Sequence, residues 1–199
     1  MKKLFAALVA AMIAVSVLPA QEASFAQART EHYVVWAETG QERANELAKT
    51  LEGLFALFEE DMRFDPAALK SRLSVRLFKD KAAFDAYLTQ IVGETKGDFV
   101  YLHYPTPERS ELLVFAKDRA DFSASLAHQA YVQYLKAFIP NPPLWIREGF
   151  AVYYERTAWD EKAGKVVFAE NTAWLETMKA LKNSGKLLAI EELMTSAPD

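Results

Sequence analysis

The longest periodic pattern of apolar residues in the chain predicts a helix from Gln41 to Met62. Apolar side chains recur there every three or four residues, the spacing that places them on one face of a helix. Asp65 precedes Pro66, and a residue before proline disfavours helical geometry, so the helix should end nearby. The core-facing stripe consists of Leu47, Leu51, Leu54, Phe55, Phe58 and Met62.

Two further amphipathic patterns predict a pair of core helices at about 119–138 and 144–157. Asp121 or Ser123 can cap the first of them. Prolines at 140, 142 and 143 stiffen the turn between the two helices. One face of the first helix is apolar and carries Phe122, Leu126, Ala130, Tyr134 and Phe138.

Four short segments rich in β-branched and aromatic residues predict strands. A helix between the second and third strands has Asp80 as its expected N-cap. These strands and helices are compatible with the expected fold class, which is α+β with a small mixed or antiparallel sheet packed on helices. The predicted strands are His32–Trp36, Leu73–Phe78, Phe99–Tyr104 and Glu111–Ala116.

The segment after Glu155 gives weaker signals. Residues 160–165 predict a turn, which should join a short hairpin that enters Val166–Phe168. A helix is predicted from Asn171 to Leu181, followed by a short element at Leu187–Met194. The side chains expected to point inward from that helix are Trp174, Leu175, Met178 and Leu181.

The first 28 residues resemble a secretory signal peptide. Lys2 and Lys3 precede an apolar run at Leu4–Leu18, which is too short and too alanine-rich for a spanning helix,. Cleavage could follow Ala20 or Ala28, of which Ala28 is the better A-x-A match, and an uncleaved membrane anchor is the less favoured alternative,. Residues 29–199 would then form one exported domain, with no stable membrane anchor after cleavage.

Composition limits which cellular compartments and which classes of binding partner suit this chain. The chain has no cysteine, so it has neither a lipoprotein attachment site nor a disulfide, and a bacterial periplasm or the secreted fraction suits it,. A net charge of −4, without a lysine-arginine cluster or a glycine-rich phosphate loop, gives no support for binding nucleic acid,.

Candidate chemistry lies on the two core helices. In a His-Glu-x-x-His helix, two imidazoles four residues apart bind one zinc ion, and the glutamate acts as general base. The window here reads His128-Gln129-Ala130-Tyr131-Val132. The neutral amide of Gln129 cannot accept a proton, and Val132 has no lone pair to offer. His128 and Glu148 remain as possible ligands, which is fewer than the usual three plus water.

Glu148 belongs to a more specific pattern on the second helix. The segment Trp145-Ile146-Arg147-Glu148-Gly149-Phe150-Ala151-Val152-Tyr153 fits W-x-x-E-G-x-A-x-Y. Gly149 could allow another helix to approach closely. A solvated glutamate, or one paired with Arg147 or Arg156, is the simpler interpretation of Glu148.

Together these residues resemble the gluzincin metallopeptidases, most closely the bacterial peptidase MA-like group, over about Glu31 to Glu155. The resemblance implies a secreted zinc peptidase with a zincin-like fold. Both departures, at Gln129 and Val132, fall on positions that catalysis needs. Similar proteins usually continue with more helices, so the domain is expected to be either minimal at its C-terminus or truncated.

The resemblance also implies a peptide-binding strand. In that family the strand before the metal helix tends to form the sheet edge along which an extended peptide lies, and here it contains Leu112, Leu113, Val114 and Phe115,. An ordinary edge strand is the alternative. His103 is expected to be a hairpin residue, with third-ligand status as the less favoured option.

Three functional hypotheses follow. The favoured one is an exported, catalytically inactive metallopeptidase-like domain that binds a peptide or envelope protein along an edge strand, with no cofactor expected. The second is an active zinc peptidase with a rebuilt site, in which His103, His32 or an aspartate or glutamate elsewhere in the chain serves as ligand and base. The third is a structural protein of the cell envelope.

Overall fold

A computed structural model of the chain describes residues 25–168 and 172–195. The fold is α+β, as the sequence predicts, with a small mixed sheet packed against helices. The helices are α1 (Gln41–Met62), α2 (Lys81–Val92), α3 (Arg119–Phe138), α4 (Leu144–Tyr154), α5 (Ala173–Asn183) and α6 (Ile190–Thr195). The strands are β1 (Ala26–Arg29), β2 (Tyr33–Ala37), β3 (Leu73–Phe78), β4 (Val100–Leu102), β5 (Glu111–Phe115), β6 (Thr157–Asp160) and β7 (Lys165–Phe168).

The main sheet has five strands in the order β1-β2-β3-β5-β4. Strands β2, β3 and β5 are parallel to one another, and β1 and β4 are antiparallel additions at the two edges. Parallel neighbours need crossover connections, and helices supply them: α1 lies between β2 and β3 along the chain,. The three parallel strands therefore form the interior of the sheet.

The prediction that Leu112, Leu113, Val114 and Phe115 form a sheet edge is wrong. They belong to β5, which pairs with β3 along its whole length and with β4 over Glu111–Leu113. Their exposures range from 0 to 7%, as expected of a strand covered on both faces,. Although β4 precedes β5 in the chain, it adds outside it, so β4 is the edge strand on this side.

The bounds of α1 and α3 agree with the predicted ones, whereas α4 ends earlier and α5 is shifted by two residues. Asp80 accepts a hydrogen bond from Ala83 N at 2.8 Å and caps α2 as predicted. For α3 the predicted caps at Asp121 and Ser123 are wrong, because the helix already begins at Arg119.

Helix α4 ends three residues before the predicted position 157. The hydroxyl of Thr157 donates to the carbonyl oxygen of Tyr154 at 2.7 Å, and β6 begins at Thr157. The chain at this point leaves the helix and enters the hairpin.

The predicted hairpin is confirmed as β6 and β7, and it packs on α1 at Gly53. A Cβ placed on Gly53 would lie 2.8 Å from Cγ2 of Val166 and 2.9 Å from Cζ3 of Trp159. The ammonium group of Lys49 covers the Trp159 ring at 4.5 Å from its centroid. Gly53 is thus the position where two elements approach too closely for a side chain.

The predicted helix at 171–181 is found at Ala173–Asn183, but three of the four side chains expected to point inward are exposed, and only Leu181 is partly buried. Trp174, Leu175 and Met178 are 50, 53 and 44% exposed. The spacing predicted the helix correctly, whereas the burial of its apolar stripe depends on neighbours that the pattern does not specify.

The predicted signal segment lies almost wholly outside the described residues. Its last residues are described: β1 pairs with β2 from Ala26↔Ala37 to Arg29↔Val34, and Ala28 is buried. Within 25–168 and 172–195, none of the helices is both long and apolar enough to span a bilayer.

Candidate functional site

His128 lies on α3 beside the C-terminal end of α4. Its Nδ1 atom is 2.8 Å from Oε1 of Glu155, the residue that follows α4. Because an ionised carboxylate only accepts hydrogen bonds, we assign the proton of this bond to Nδ1. In the neutral imidazole Nε2 then carries the free lone pair, the arrangement that a carboxylate behind a ligating histidine enforces.

Glu148 is presented to His128 from the middle of α4. Its Oε2 atom lies 3.7 Å from Nε2 of His128, and its Oε1 accepts a hydrogen bond from Nε of Arg147 at 2.6 Å. The structure therefore brings together the two residues that the sequence singled out. The interpretation of Glu148 as a solvated or ion-paired glutamate also holds in part, because its side chain is 45% exposed and paired with Arg147.

The other two predicted site positions supply no ligand. Gln129 lines a hollow of about 330 Å³ together with His128 and Glu155. Val132 is half-buried against the core, one turn beyond His128. The groups left to bind a metal ion are thus Nε2 of His128 and the carboxylate of Glu148, since Nδ1 of His128 is hydrogen-bonded to Glu155. This set does not fit the three protein ligands of a catalytic zinc ion.

The histidines considered as replacement ligands are engaged elsewhere. His32 bonds Glu52 through Nδ1 at 2.7 Å and stacks on Phe55 with a centroid distance of 3.8 Å. His103 follows β4, with Nδ1 3.5 Å from the Tyr101 hydroxyl. Across residues 25–168 and 172–195, no group of three or more histidine, aspartate and glutamate side chains is placed to hold a metal ion.

Gly149 does not have the role predicted for it. Apart from its chain neighbours and its own helix backbone, no heavy atom of the described residues lies within 4 Å of where its Cβ would stand. No helix packs on this point, so the expected close approach is wrong. The surface beside Glu148 is open instead.

A polar network that the sequence did not indicate borders the same hollow. Lys117 donates to Asp98 at 2.6 Å and to the hydroxyl of Ser125 at 2.7 Å, and Ser125 donates to the other oxygen of Asp98 at 2.6 Å. Ser125 is three residues before His128, so the network lies one turn away on α3.

The charge of Asp98 is stabilised by this network. Burial by itself raises the pKa of Asp98, but the hydrogen bonds from Lys117, Ser125 and the Phe99 amide, together with the charge of Lys117, outweigh burial and hold it below its usual range,. No local pattern could have indicated the cluster, because Asp98 and Lys117 are 19 residues apart.

A larger cavity formed by the described residues lies elsewhere. It measures about 910 Å³ and opens between β1, α1 and the β6–β7 hairpin, and none of the predicted site residues lines it. Its position offers no link to the chemistry of His128.

Comparison with known proteins leaves the family assignment open. No family model matches the chain, and no curated protein matches it either. The likeness to gluzincin metallopeptidases therefore stays a prediction that depends on the residues themselves.

Proposed function

We propose that this chain is an exported, metallopeptidase-like protein that no longer performs zinc catalysis and that binds an extended peptide at its β4 edge. The observation that carries the proposal is the arrangement around His128. Its Nε2 faces Glu148 while its Nδ1 is held by Glu155, which is how a ligating histidine is oriented in a zinc site,. His128 thus has the orientation of a ligating histidine, although the general base and the second imidazole are replaced by Gln129 and Val132.

The replaced groups account for the lost reaction. Gln129 stands where a general base would be, and general bases contribute about 10²–10⁴-fold to rate. Val132 stands one helical turn from His128, where a second imidazole would complete the ligand set,. Without that ligand, zinc would have too few protein donors to be retained.

Peptide binding is supported by the position and exposure of β4. Its residues Val100, Tyr101 and Leu102 are half-buried, and only β5 pairs with the strand among the described elements. An extended peptide can add to such an edge through main-chain hydrogen bonds, with alternate side chains filling surface depressions. Helix α3 contacts β4, so a peptide there would lie near the face that carries His128.

The proposed location is the bacterial periplasm or the secreted fraction. The basic start, the apolar run and the small residues before Ala20 and Ala28 support export,. The absence of cysteine from the sequence is compatible with that compartment,.

The first test restores the missing ligand. Val132→His should create measurable zinc affinity by titration calorimetry, because the new imidazole, His128 and Glu148 would form a three-ligand set. Adding Gln129→Glu should then give chelator-sensitive cleavage of a casein substrate. Val132→Leu is the matched control and should bind no zinc. Failure of Val132→His to bind zinc while still folded would contradict the proposed alignment of the site.

The second test addresses peptide binding. Adding a casein digest to ¹⁵N-labelled protein should shift the amide signals of Val100, Tyr101 and Leu102, whereas β1 at the opposite edge serves as the internal control. Shifts at β1 alone would count against the proposed groove.

The active zinc peptidase is the second candidate, and the Glu155–His128 pair favours it, since catalytic sites use the same orienting carboxylate,. Stoichiometric zinc in the purified wild-type protein, with chelator-sensitive cleavage, would establish that candidate instead.

A further inference from the structure

The described residues after β7 form an amphipathic segment that the rest of the fold hardly covers. From Trp174 to Thr195, Leu181 is partly buried and every other residue is exposed. Eight large apolar side chains are exposed there, among them Trp174 at 50%, Met178 at 44% and Ile190 at 71%. Single exposed apolar residues are ordinary, whereas a segment rich in them marks a surface that contacts another molecule or a membrane.

The apolar and acidic residues of α5 lie on different sides of the helix. Trp174, Met178 and Leu181 are spaced by four and three residues, so they form one apolar stripe,. Glu176 is two residues from Trp174, a rotation of about 200°, and therefore lies opposite the stripe. Lys182 is four residues after Met178 and lies beside the stripe. The helix thus presents an apolar face that is bordered by a cation.

The end of α5 places a second cation next to the same face. Gly185 has a φ of 69°, and its amide donates to the carbonyl oxygen of Lys182 at 3.1 Å. The amide of Lys186 donates to the carbonyl oxygen of Leu181 at 2.9 Å. This pair of bonds is the turn with which many helices end at a glycine. The turn folds Lys186 back onto the last turn of α5, beside Leu181 of the apolar stripe.

The carboxylates of this segment lie away from the apolar stripe. Glu176 is on the opposite face and pairs with Lys179 at 2.8 Å. Glu191 and Glu192 belong to the first turn of α6, which contacts α4 and so joins the segment to the body of the fold. The surface of α5 around the stripe therefore carries an excess of positive charge, although the whole chain has a net charge of −4.

We propose that α5 binds reversibly to the surface of an anionic lipid bilayer. The stripe of Trp174, Met178 and Leu181 would lie at the boundary between headgroups and acyl chains, with Lys182 and Lys186 at the lipid phosphates. A helix with an apolar face and flanking lysines binds in the plane of such an interface. Tryptophan suits this depth, because its ring is apolar and its N–H needs a polar partner.

The size of the apolar stripe favours a lipid surface over a protein partner. A stable protein interface uses about 20–30 residues on each side, whereas the stripe offers three apolar side chains on one short helix,. A bilayer needs no matching patch and gains from the apolar face and the lysines alone. The surface shares no residue with the His128–Glu148 pair or with β4, so its test is independent of the function proposed above.

The test uses residues 21–199, which contain every described residue and lack the apolar run at Leu4–Leu18 that would itself enter a bilayer. Sedimentation with vesicles of phosphatidylethanolamine and phosphatidylglycerol should carry the protein into the pellet. Vesicles of phosphatidylcholine alone should bind it at least roughly tenfold more weakly, because each lysine near an anionic surface contributes about a fivefold gain. Binding to the anionic vesicles should fall as salt is raised, because salt screens exposed charges.

Variants of the apolar stripe test which face enters the lipid. Met178→Gln should weaken binding at least roughly fivefold through lost apolar burial. Ile91→Gln on α2 is the matched control, because Ile91 is also 44% exposed, and it should leave binding unchanged. Brominated lipid should quench tryptophan fluorescence in the wild-type protein but not in Trp174→Phe, which keeps the three other tryptophans of the chain.

Variants of the lysines test the charge preference. Lys182→Gln combined with Lys186→Gln should weaken binding to phosphatidylglycerol vesicles at least roughly tenfold and leave the weak binding to phosphatidylcholine unchanged. Lys70→Gln, at an exposed lysine before β3, is the control and should bind as the wild type does. All these positions are exposed, so circular dichroism should show the same fold in each variant.

Several outcomes would overturn the proposal. Wild-type protein that stays in the supernatant with phosphatidylglycerol vesicles would do so, as would equal affinity for the two kinds of vesicle. Quenching that persists in Trp174→Phe would show that another part of the chain enters the lipid. A dimer in sedimentation velocity that Met178→Gln dissociates would show that a second copy of the chain, rather than lipid, covers the stripe.

Discussion

The imidazole of His128 is held from behind by Glu155, with 2.8 Å between Nδ1 and Oε1. The residue that holds it lies just past α4, and Glu148, which faces the other nitrogen at 3.7 Å, lies within that helix. Helix α4 and the residue that follows it thus position both carboxylates around one ring. The turn formed by residues 139–143 sets how α4 meets α3, and thereby sets this arrangement.

Removing the carboxylate of Glu155 should weaken a restored metal site. In the Val132→His background, Glu155→Ala should lower zinc affinity about 10–100-fold, because the orienting partner of a ligating histidine contributes that much. Titration calorimetry measures the change, and Glu60→Ala, at an exposed acid on α1, is the control. Equal zinc affinity with and without Glu155 would show that the carboxylate does not orient His128.

Two helical glycines should respond in opposite directions to alanine. Gly149→Ala should stabilise the protein by about 0.5–1 kcal/mol, because the new methyl group meets open space and alanine is the better helix former,. Gly53→Ala should destabilise it by about 1–3 kcal/mol, because the methyl group would overlap Val166 and Trp159,. Urea denaturation of both variants measures the difference. A stabilised Gly53→Ala would mean that the hairpin is not seated on α1 as described.

The buried ion pair between β3 and β5 should be important for stability. Arg76 lies 3.1 Å from Glu111 through Nη2, with side-chain exposures of 10 and 13%. Glu111→Ala would leave the guanidinium buried without its partner and should cost about 3 kcal/mol. Glu46→Ala, which breaks an exposed pair with Arg43, is the control and should cost less than about 1 kcal/mol,. Similar costs for the two variants would contradict the burial of Arg76.

The Asp98 network should make stability depend on pH in the acid range. The pKa of Asp98 is lower in the folded state than the usual value of about 3.9, so its contribution is present above that pH and is lost as pH falls through the folded pKa,. Asp98→Asn should cost about 1 kcal/mol or less at pH 7, since the side chain is half exposed,.

The cost of Asp98→Asn should shrink as the pH drops below about 4, because the carboxyl takes up a proton there in the unfolded state before it does so in the folded state,. Urea denaturation of wild type and Asp98→Asn at pH 7 and below about pH 4 measures this cost, with Glu161→Gln as an exposed control. A cost that grows toward acid pH would contradict the sign.

If the chain is exported as we propose, signal cleavage should follow Ala20 rather than Ala28. Cleavage after Ala28 would leave only Arg29 of β1, although Ala28 is buried in the sheet against β2. Mass spectrometry of the secreted product should find Gln21 at its N-terminus, and a chain beginning at Arg29 should unfold at lower urea concentration. Equal stability of the two forms would show that β1 contributes nothing.

The sequence predicted what depends on local periodicity and missed what depends on order in space. Helix α1 begins and ends at the predicted residues because a long apolar stripe defines it. The prediction that β5 lies at the sheet edge was wrong, because the chain crosses over from β3 to β5 and β4 is added outside β5. The exposure of Trp174 was missed because a stripe of apolar residues does not specify what covers it.

The candidate site was likewise predicted only in part from the sequence. His128 and Glu148 could be found because helical spacing and a motif point to them, and the structure places them together. Glu155 lay at the boundary of the motif without an assigned role, and its contact with His128 depends on where α4 ends.

The edge strand β4 is only three residues long, so a peptide added to it as proposed would form only a few main-chain hydrogen bonds with the sheet. The proposed complex would therefore be weak and short-lived, and its selectivity would depend mainly on side chains of α3, the helix that contacts β4. Such a groove would exchange its peptides rapidly rather than retain one of them.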